Sequence, residues 1–256
     1  MTTNGSTLDA RELAFKYRHS GQILHDVSAS ITPGSFLAIL GMNGSGKSTF
    51  LSCLDGLLSP QKGVVILDGT QLKQVSREDR AKSIAYVTQH SHANRLTVYD
   101  ALLLGRKPYI RSMPSAQDYQ AVDDVIERLD LTPFALRYVD ELSGGEYQKI
   151  IIARAFVQQA DVLLLDEPTN NLDMANQAEV LQLVRDEVDT RNLAAAAVMH
   201  DVNLALRYCD RFLLIKEGRV LDCGGPEVIT PESIQQVYGI SADIITHNGH
   251  RIVIPL

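Results

Sequence analysis

A glycine-rich loop at residues 41–49, Gly-Met-Asn-Gly-Ser-Gly-Lys-Ser-Thr, constrains this chain more than any other stretch. It fits the pattern Gly-x-x-x-x-Gly-Lys-Ser/Thr, follows an apolar run at residues 36–40 and precedes a helix-competent run at residues 48–58. In this strand–loop–helix context the glycines let backbone N–H groups close around phosphate oxygens, and the helix N-terminus adds a positive field. A chance glycine-rich turn would not need the strand before it and the helix after it. The loop therefore predicts nucleotide binding.

Two side chains of this loop are expected to act on the phosphates directly. We expect Lys47 to reach the β- and γ-phosphates and to assist catalysis, and the Ser48 hydroxyl to ligate Mg²⁺. The predicted nucleotide-binding residues of the loop are Gly41, Asn43, Gly44, Ser45, Gly46, Lys47, Ser48 and Thr49.

The composition is that of a globular protein without a large basic surface. Apolar residues make up 45% of the 256 residues, enough for a sizeable core. The net charge of −7 argues weakly against a nucleic-acid partner. The three widely spaced cysteines, Cys53, Cys209 and Cys223, predict buried thiols in a reducing cytosol rather than disulfides or a zinc site. The apolar stretches are far shorter than the roughly 20 residues of a membrane span, so any membrane role is expected to come through a partner.

The order of apolar runs predicts one α/β domain over residues 1–256. Strands alternating with helices indicate a phosphate-loop nucleotide hydrolase with a mainly parallel core sheet. Residues 8–17 and 25–31 alternate as strands of a small antiparallel β subdomain. Residues 91–157 are helical in character and predict an inserted helical subdomain. Asn248-Gly249 between two alternating runs predicts a C-terminal β-hairpin at residues 243–256, which we interpret as a structural appendage.

Two carboxylates follow a buried strand at residues 162–165. In open parallel sheets ligands bind at the carboxyl ends of the strands, where Asp166 and Glu167 are expected. We expect Asp166 to hold Mg²⁺, directly or through water, and Glu167 to act as the general base toward the attacking water, a role that contributes roughly 10²–10⁴ in rate. An acidic turn after a strand is the ordinary alternative, and the phosphate loop favours the functional interpretation.

A second anion site is predicted at residues 142–148, Leu-Ser-Gly-Gly-Glu-Tyr-Gln. Ser143 suits a helix N-cap, and Gly144 and Gly145 leave the first backbone amides bare. Because the phosphate loop already accounts for one nucleotide, this site is interpreted as serving a nucleotide held by another copy of the chain. A plain capped helix start is the alternative for Ser-Gly-Gly alone.

Together the three stretches resemble the ATP-binding cassette (ABC) family, whose signature sequence is Leu-Ser-Gly-Gly-Gln, and the resemblance runs from about residue 8 to the end. It implies an ABC-type ATPase with ATP and Mg²⁺ as cofactors, and a homodimer in which Ser143, Gly144 and Gly145 contact the partner's nucleotide.

The resemblance also gives roles to residues that would otherwise be ordinary. Tyr17 corresponds to the aromatic that stacks on adenine, with Phe15 expected on the opposite side of the strand. Gln89 corresponds to the catalytic glutamine that senses Mg²⁺ and the attacking water, and His200 to the histidine that contacts the γ-phosphate. Residues 170–173 correspond to the loop that links the two nucleotide sites. Taken alone, these are an edge-strand tyrosine, a loop glutamine, a helix-start histidine and a turn with Asp173 capping the next helix.

The sequence departs from the family pattern at two places. Glu146 stands where glutamine is usual, and Asn170-Asn171 stands where Ser-Ala is commoner. The first departure puts any γ-phosphate contact by residue 146 in doubt, so Ser143 and Gly145 are preferred for that contact.

Four further stretches are similar to ATPases of bacterial and archaeal importers for iron chelates, haem and cobalamin. They are residues 105–109, 199–210, 238–239 and 252–256. This resemblance implies a peripheral subunit on the cytoplasmic face of the cell membrane. Its partners would be two transmembrane permease subunits, with an extracytoplasmic substrate-binding protein acting indirectly and no nucleic acid. We expect residues 90–113 to contact the permease, because this segment mixes apolar and basic residues, including Leu96, Tyr99, Arg106, Lys107 and Tyr109. The ordinary surface of a helical insertion is the alternative for this segment. A non-transport ABC ATPase of translation or DNA maintenance is the alternative, and a phosphate-loop kinase would leave residues 142–148 unexplained.

Overall fold

The computed structural model of the protein describes residues 5–18, 21–88 and 95–256. Its strands are β1 (Leu8–Lys16), β2 (Gln22–Ile31), β3 (Phe36–Leu40), β4 (Lys62–Leu67), β5 (Thr70–Gln71), β6 (Ile84–Val87), β7 (Val162–Asp166), β8 (Ala194–Val198), β9 (Arg211–Lys216), β10 (Arg219–Gly224), β11 (Ala242–His247) and β12 (His250–Pro255). Its α-helices are α1 (Lys47–Asp55), α2 (Arg77–Ser83), α3 (Val98–Leu103), α4 (Ala116–Arg128), α5 (Gly144–Val157), α6 (Met174–Arg191), α7 (Val202–Tyr208) and α8 (Pro231–Tyr238). Short 3₁₀ turns lie at Leu72–Gln74, Leu104–Arg106, Thr132–Phe134, Val139–Glu141 and Pro226–Val228.

The main sheet has the strand order β10-β9-β3-β8-β7-β6. β3 pairs in parallel with β8 and β9, and β7 pairs in parallel with β6 and β8, whereas β10 runs antiparallel to β9. Every residue of β3, β7 and β8 is buried, as expected for parallel strands that are covered on both faces. The predicted α/β fold with a mainly parallel core sheet is confirmed.

A second, antiparallel sheet lies across α1 from the main sheet and has the order β2-β1-β4-β5. Successive side chains of β3 point to opposite faces, so Leu37 and Ile39 join an apolar core with α1 and the antiparallel sheet. Phe36, Ala38 and Leu40 join the opposite core, which contains α5, α6 and α7. The two cores fix α1, and with it the phosphate loop, between the sheets.

The segment between β6 and β7 carries α3, α4 and α5, which pack on one another in the larger core. Arg106 lies in this block and is only 6% exposed. Its Nε donates to Asp118 Oδ1 at 3.0 Å, and its Nη1 donates to the carbonyl oxygen of Val157 and to Gln159 Oε1. The sequence-based expectation that Arg106 helps to contact a partner is therefore wrong, because its guanidinium is buried in an ion pair with Asp118.

The C-terminal strands β11 and β12 form the predicted hairpin around Asn248-Gly249, whose φ values of 48° and 80° suit a tight turn. The hairpin packs against α7 and α8.

All three cysteines are free thiols, but only Cys53 and Cys209 are buried. Cys223 is exposed on β10, so the expectation of a buried thiol is wrong there. No helix in the described ranges is long and apolar enough to cross a membrane.

Candidate functional site

The phosphate loop joins β3 to α1 in a shape that requires its glycines. Gly46 is the N-cap of α1 and has a φ of 100°, in the left-handed region that favours glycine. A Cβ on Gly41 would lie 2.2 Å from the carbonyl oxygen of Ile215 on β9, too close for any side chain. The loop can therefore pass close to β9 and present the N-terminus of α1 to a ligand.

Lys47 is buried at the start of α1, and its ammonium donates to the carbonyl oxygens of Gly41 and Met42 at 2.8 and 2.9 Å. Burial lowers the pKa of Lys47, while the carboxylates of Glu167 and Asp166 raise it by a smaller amount. The lysine, both carboxylates and the phosphate loop thus meet at one end of the main sheet.

Asp166 ends β7 and is almost fully buried. The Ser48 hydroxyl donates to its Oδ1 at 2.8 Å, and the Tyr86 hydroxyl donates to its Oδ2 at 3.4 Å. Burial raises the pKa of Asp166, and the hydrogen bond from Ser48 partly offsets that effect. A hydroxyl and a carboxylate side by side are the oxygen ligands that Mg²⁺ prefers, so these two residues fit the ion.

Glu167 follows β7 with a φ of 53° and turns its carboxylate toward the histidine after β8. His200 Nε2 lies 2.7 Å from Glu167 Oε1, and Asn170 Nδ2 donates to Glu167 Oε2 at 3.0 Å. The loop after β7 and the loop after β8 thus both hold this carboxylate in place.

These groups line a cavity of about 590 Å³, a size that fits a small-molecule ligand. Its lining consists of Tyr17, Ile23, Asn43, Gly44, Gly46, Lys47, Ser48, Thr49, Glu167, Asn170 and His200. The structure thus brings together predicted residues from the phosphate loop and from the segments that follow β1, β7 and β8. Ser45, which is also part of the loop, is not among these lining residues, and its hydroxyl is buried.

Tyr17 stands at the rim of the cavity, 46% exposed, with its hydroxyl 3.3 Å from Thr49 Oγ1. Phe15 packs edge-on against the Tyr17 ring, with 4.9 Å between the ring centroids. The expectation that Phe15 faces the opposite side of the strand is therefore wrong, because the two rings are in direct contact on one side of the chain.

Gln89 and the histidines at 19, 90 and 92 lie outside the described residues. Tyr86 is a site residue that the sequence analysis missed. It touches Asp166 because β6 pairs with β7 in a register that sets Tyr86 opposite Leu164, and no local motif signals this register. In the described part of the chain no cluster of three or more His, Cys, Asp or Glu side chains could hold a metal ion by itself.

The second predicted anion site lies at the N-terminus of α5. Ser143 and Glu146 form a capping box, in which the Glu146 carboxylate accepts the Ser143 backbone N–H at 2.8 Å and the Ser143 hydroxyl accepts the Glu146 N–H at 3.4 Å. The hydrogen bonds from Ser143 lower the pKa of Glu146. A carboxylate fills this capping position as well as an amide, which accounts for glutamate in place of glutamine.

The two glycines of this site have different surroundings. A Cβ on Gly144 would meet no atom within 4 Å, whereas one on Gly145 would lie 2.3 Å from Asn176 Oδ1. Asp173 caps α6 and holds the Asn176 side chain at 2.9 Å, so the N-termini of α5 and α6 are packed together. Among the described residues that line the nucleotide cavity, none comes from the start of α5.

Comparison with known proteins agrees with this geometry. A family model described as ABC transporter matches residues 24–170. An ABC transporter ATP-binding protein of Methanocaldococcus jannaschii is 46% identical over 250 residues, which cover 98% of this chain and 97% of that protein. A cobalamin import ATP-binding protein of Halobacterium salinarum is 40% identical over 219 residues, which cover 85% of this chain but only 55% of that longer protein.

Two solved structures share the fold over most of the chain. One, described as a metal-chelate type ABC transporter in an inward-facing conformation, has a TM-score of 0.85 and 29% identity over 98% of both chains. The other, a dimeric bacterial ABC transporter cassette, has a TM-score of 0.74 and 26% identity over 85% of this chain and 98% of its own. The matched motifs, the shared fold and the nucleotide cavity have one explanation: the chain belongs to the ABC transporter family and is an ATP-binding cassette ATPase.

Proposed function

We propose that this ATPase works as a homodimer that energises the uptake of a metal chelate through two transmembrane permease subunits. The observation that carries the dimer is the composition of the nucleotide cavity. One end of the main sheet supplies the phosphate loop and Glu167 to that cavity, whereas among the described residues that line it none comes from the capped N-terminus of α5. A second copy facing the first would bring its own Ser143, Gly144 and Gly145 to the open side of the nucleotide.

Within each site we assign the residues by the atoms that they present. Tyr17 at the rim would stack on the adenine, and the phosphate loop with Lys47 would bind the phosphates. Ser48 and Asp166, together with Gln89, would hold Mg²⁺. The ion would neutralise charge on the β- and γ-phosphates when bound. Because the protein offers few ligands of its own, the phosphates themselves are expected to complete the coordination, as is usual for Mg²⁺ with nucleotides.

Glu167 is assigned as the general base for the attacking water. Its carboxylate lies between His200 and Asn170, at 2.7 and 3.0 Å. When ATP enters, the imidazole of His200 can turn to the γ-phosphate, since the side chain is 42% exposed and borders the same cavity. That rotation would end the contact between His200 and the Glu167 carboxylate, which we expect to accept a proton from the attacking water.

A groove beside the helical block is the proposed contact for the permease. It has a volume of about 440 Å³ and runs between α2 and the segment at residues 104–108. Arg77, Arg80 and Lys107 line it, and Leu104 is 49% exposed. Basic side chains around an exposed leucine suit an amphipathic segment that carries an acidic residue. We expect Leu104→Glu to abolish co-purification with the permease subunits while nucleotide binding persists.

The cargo class rests on the relatives alone. One is named for cobalamin import and one is described as a metal-chelate type transporter. The same relatives support a place on the cytoplasmic face of the membrane, reached through the permease.

A mixing experiment tests the shared active site. Lys47→Ala disables the site that contains the chain's own phosphate loop. Ser143→Arg leaves that site intact and disables only the site that contains the partner's phosphate loop. In a mixed dimer both defects fall in one site and the other site is intact. Random mixing makes half of the dimers mixed, so two inactive variants should together recover about a quarter of the wild-type ATPase rate. A mixture no more active than its components would contradict the composite site.

A further inference from the structure

Three of the stretches that resemble importer ATPases, but to which the sequence analysis assigns no chemical role, meet at one place in the fold. They contain Asn203 at the start of α7, Tyr238 at the end of α8 and Val253 on β12. We refer to α8 together with the β11–β12 hairpin as the C-terminal clamp.

The side chain of Asn203 joins the clamp to α7 by two hydrogen bonds. Asn203 Nδ2 donates to the carbonyl oxygen of Val253 at 3.1 Å, and the Val253 N–H donates to Asn203 Oδ1 at 2.8 Å. The amide thus pairs with both main-chain groups of one β12 residue, as a neighbouring strand would. Arg251, on the same strand, donates to the carbonyl oxygen of Ile229 at 2.7 Å and fastens β12 to the segment before α8.

The backbone of Asn203 is hydrogen-bonded to the loop that carries His200. Asp201 caps α7, and its Oδ1 accepts the backbone N–H groups of Asn203 and Leu204 at 2.8 and 3.0 Å. His200 precedes this cap directly and reaches Glu167 at 2.7 Å. A short series of contacts therefore runs from β12 through Asn203 and Asp201 to the proposed catalytic pair.

Tyr238 brings the clamp to the same loop from another side. Its hydroxyl is fully buried and makes no hydrogen bond of normal geometry in the described residues. Burial raises the pKa of Tyr238 to about 12, the backbone N–H of Gly41 lowers it, and the Asp201 carboxylate raises it. The phenol thus lies near both the first residue of the phosphate loop and the cap that follows His200.

We infer that the C-terminal clamp positions His200 for hydrolysis and that Asn203 is the positioning residue that transmits this effect. The inference rests on the proposed role of His200 at the γ-phosphate. The hydrogen bonds described for Asn203 go to Asp201 and Val253 and not to the phosphate loop, which lies between β3 and α1 and passes close to β9. Loss of its two hydrogen bonds should therefore leave nucleotide binding in place and slow the chemical step.

The test is a double-mutant cycle on the full-length protein with steady-state ATP hydrolysis as the readout. Asn203→Ala should lower kcat about tenfold or more while KM for ATP changes by less than about threefold, because small displacements of catalytic groups are costly. If Asn203 acts through His200, then Asn203→Ala in the His200→Ala background should lower kcat no further. Gln182→Ala is the matched control, since this amide makes an exposed bond to Asp186 on α6, and its kcat should equal that of the wild type.

The outcomes separate the two proposals. If His200→Ala hydrolyses ATP at the wild-type rate, the assigned role of His200 is wrong, and this inference fails with it. A second outcome is that His200→Ala lowers kcat but Asn203→Ala lowers it by the same factor in the wild-type and His200→Ala backgrounds. A third is that Asn203→Ala changes only KM. In both cases the role of His200 stands and the positioning role of Asn203 is refuted. Should Asn203→Ala not fold, Asn203→Asp keeps an acceptor for the Val253 N–H and takes its place in the same cycle, with a smaller but still non-additive loss of kcat expected.

Discussion

Replacing Gly145 by alanine probes the contact that joins the N-termini of α5 and α6. The new methyl group would lie 2.3, 2.4 and 2.7 Å from Oδ1, Cγ and Nδ2 of Asn176, so the asparagine side chain must move. Moving it breaks the 2.9 Å hydrogen bond that its Nδ2 donates to Asp173. Gly144→Ala is the matched control for folding, because a Cβ there meets open space.

The expected loss of stability follows from three contributions. Crowding of a packed site costs about 1–3 kcal/mol, and a lost hydrogen bond costs about 1 kcal/mol. Alanine in a helix gains about 0.5–1 kcal/mol over glycine. The net loss is about 2 kcal/mol, which corresponds to a fall in Tm of about 4–8 °C for a chain of this size.

Urea unfolding of four proteins measures this contact: wild type, Gly145→Ala, Asn176→Ala and the double variant. Asn176→Ala removes all three crowded atoms, so Gly145→Ala should become neutral or slightly stabilising in that background. The coupling free energy should be about 2 kcal/mol or more. The packing argument would be refuted if Gly145→Ala were as stable as the wild type, or if Asn176→Ala failed to rescue it.

Two further predictions concern buried carboxylates. Asp118→Asn should lower the free energy of unfolding by about 3 kcal/mol or more, because it leaves the guanidinium of Arg106 buried without its counter-charge; thermal unfolding checks this, and an unchanged Tm would contradict it. Asp166→Asn should raise the stability of the nucleotide-free protein at neutral pH. Burial raises the pKa of Asp166, so the folded state binds the proton more tightly than the unfolded state, and stability falls as pH rises from the ordinary aspartate pKa through the raised one. The variant should lose this pH dependence and also lose Mg²⁺-dependent ATP hydrolysis, and an unchanged pH profile of unfolding would contradict the assignment.

Local motifs were sufficient to predict much of the fold and several of the residues that line the cavity. The phosphate loop needs a strand before it and a helix after it, and β3 and α1 provide them. The carboxylates after β7 could be placed beside the loop because the carboxyl ends of parallel strands share one edge of a sheet. The N-cap residues could also be predicted, since Ser143 and Asp173 both cap the helices that follow them.

What could not be predicted depends on pairs that are distant in sequence. The contact of Tyr86 with Asp166 depends on strand register. A basic residue such as Arg106 is predicted to be exposed, because the sequence does not show that Asp118 lies beside it. The closeness of Gly145 to Asn176 depends on the crossing of two helices. The contact between Asn203 and Val253 likewise depends on where the C-terminal hairpin docks, for which no pattern in either segment gives a rule.

The central claim is that each ATP site is shared between two copies of the chain. The most direct measurement is the mass in solution of Glu167→Gln, with and without ATP and Mg²⁺, by light scattering coupled to size exclusion. This change removes the carboxylate of the proposed general base but leaves the phosphate loop and Lys47 intact, so ATP should bind and persist. We predict a monomer without nucleotide and a stable dimer of twice its mass with saturating ATP. A variant that binds ATP with wild-type affinity and yet remains monomeric would contradict the account.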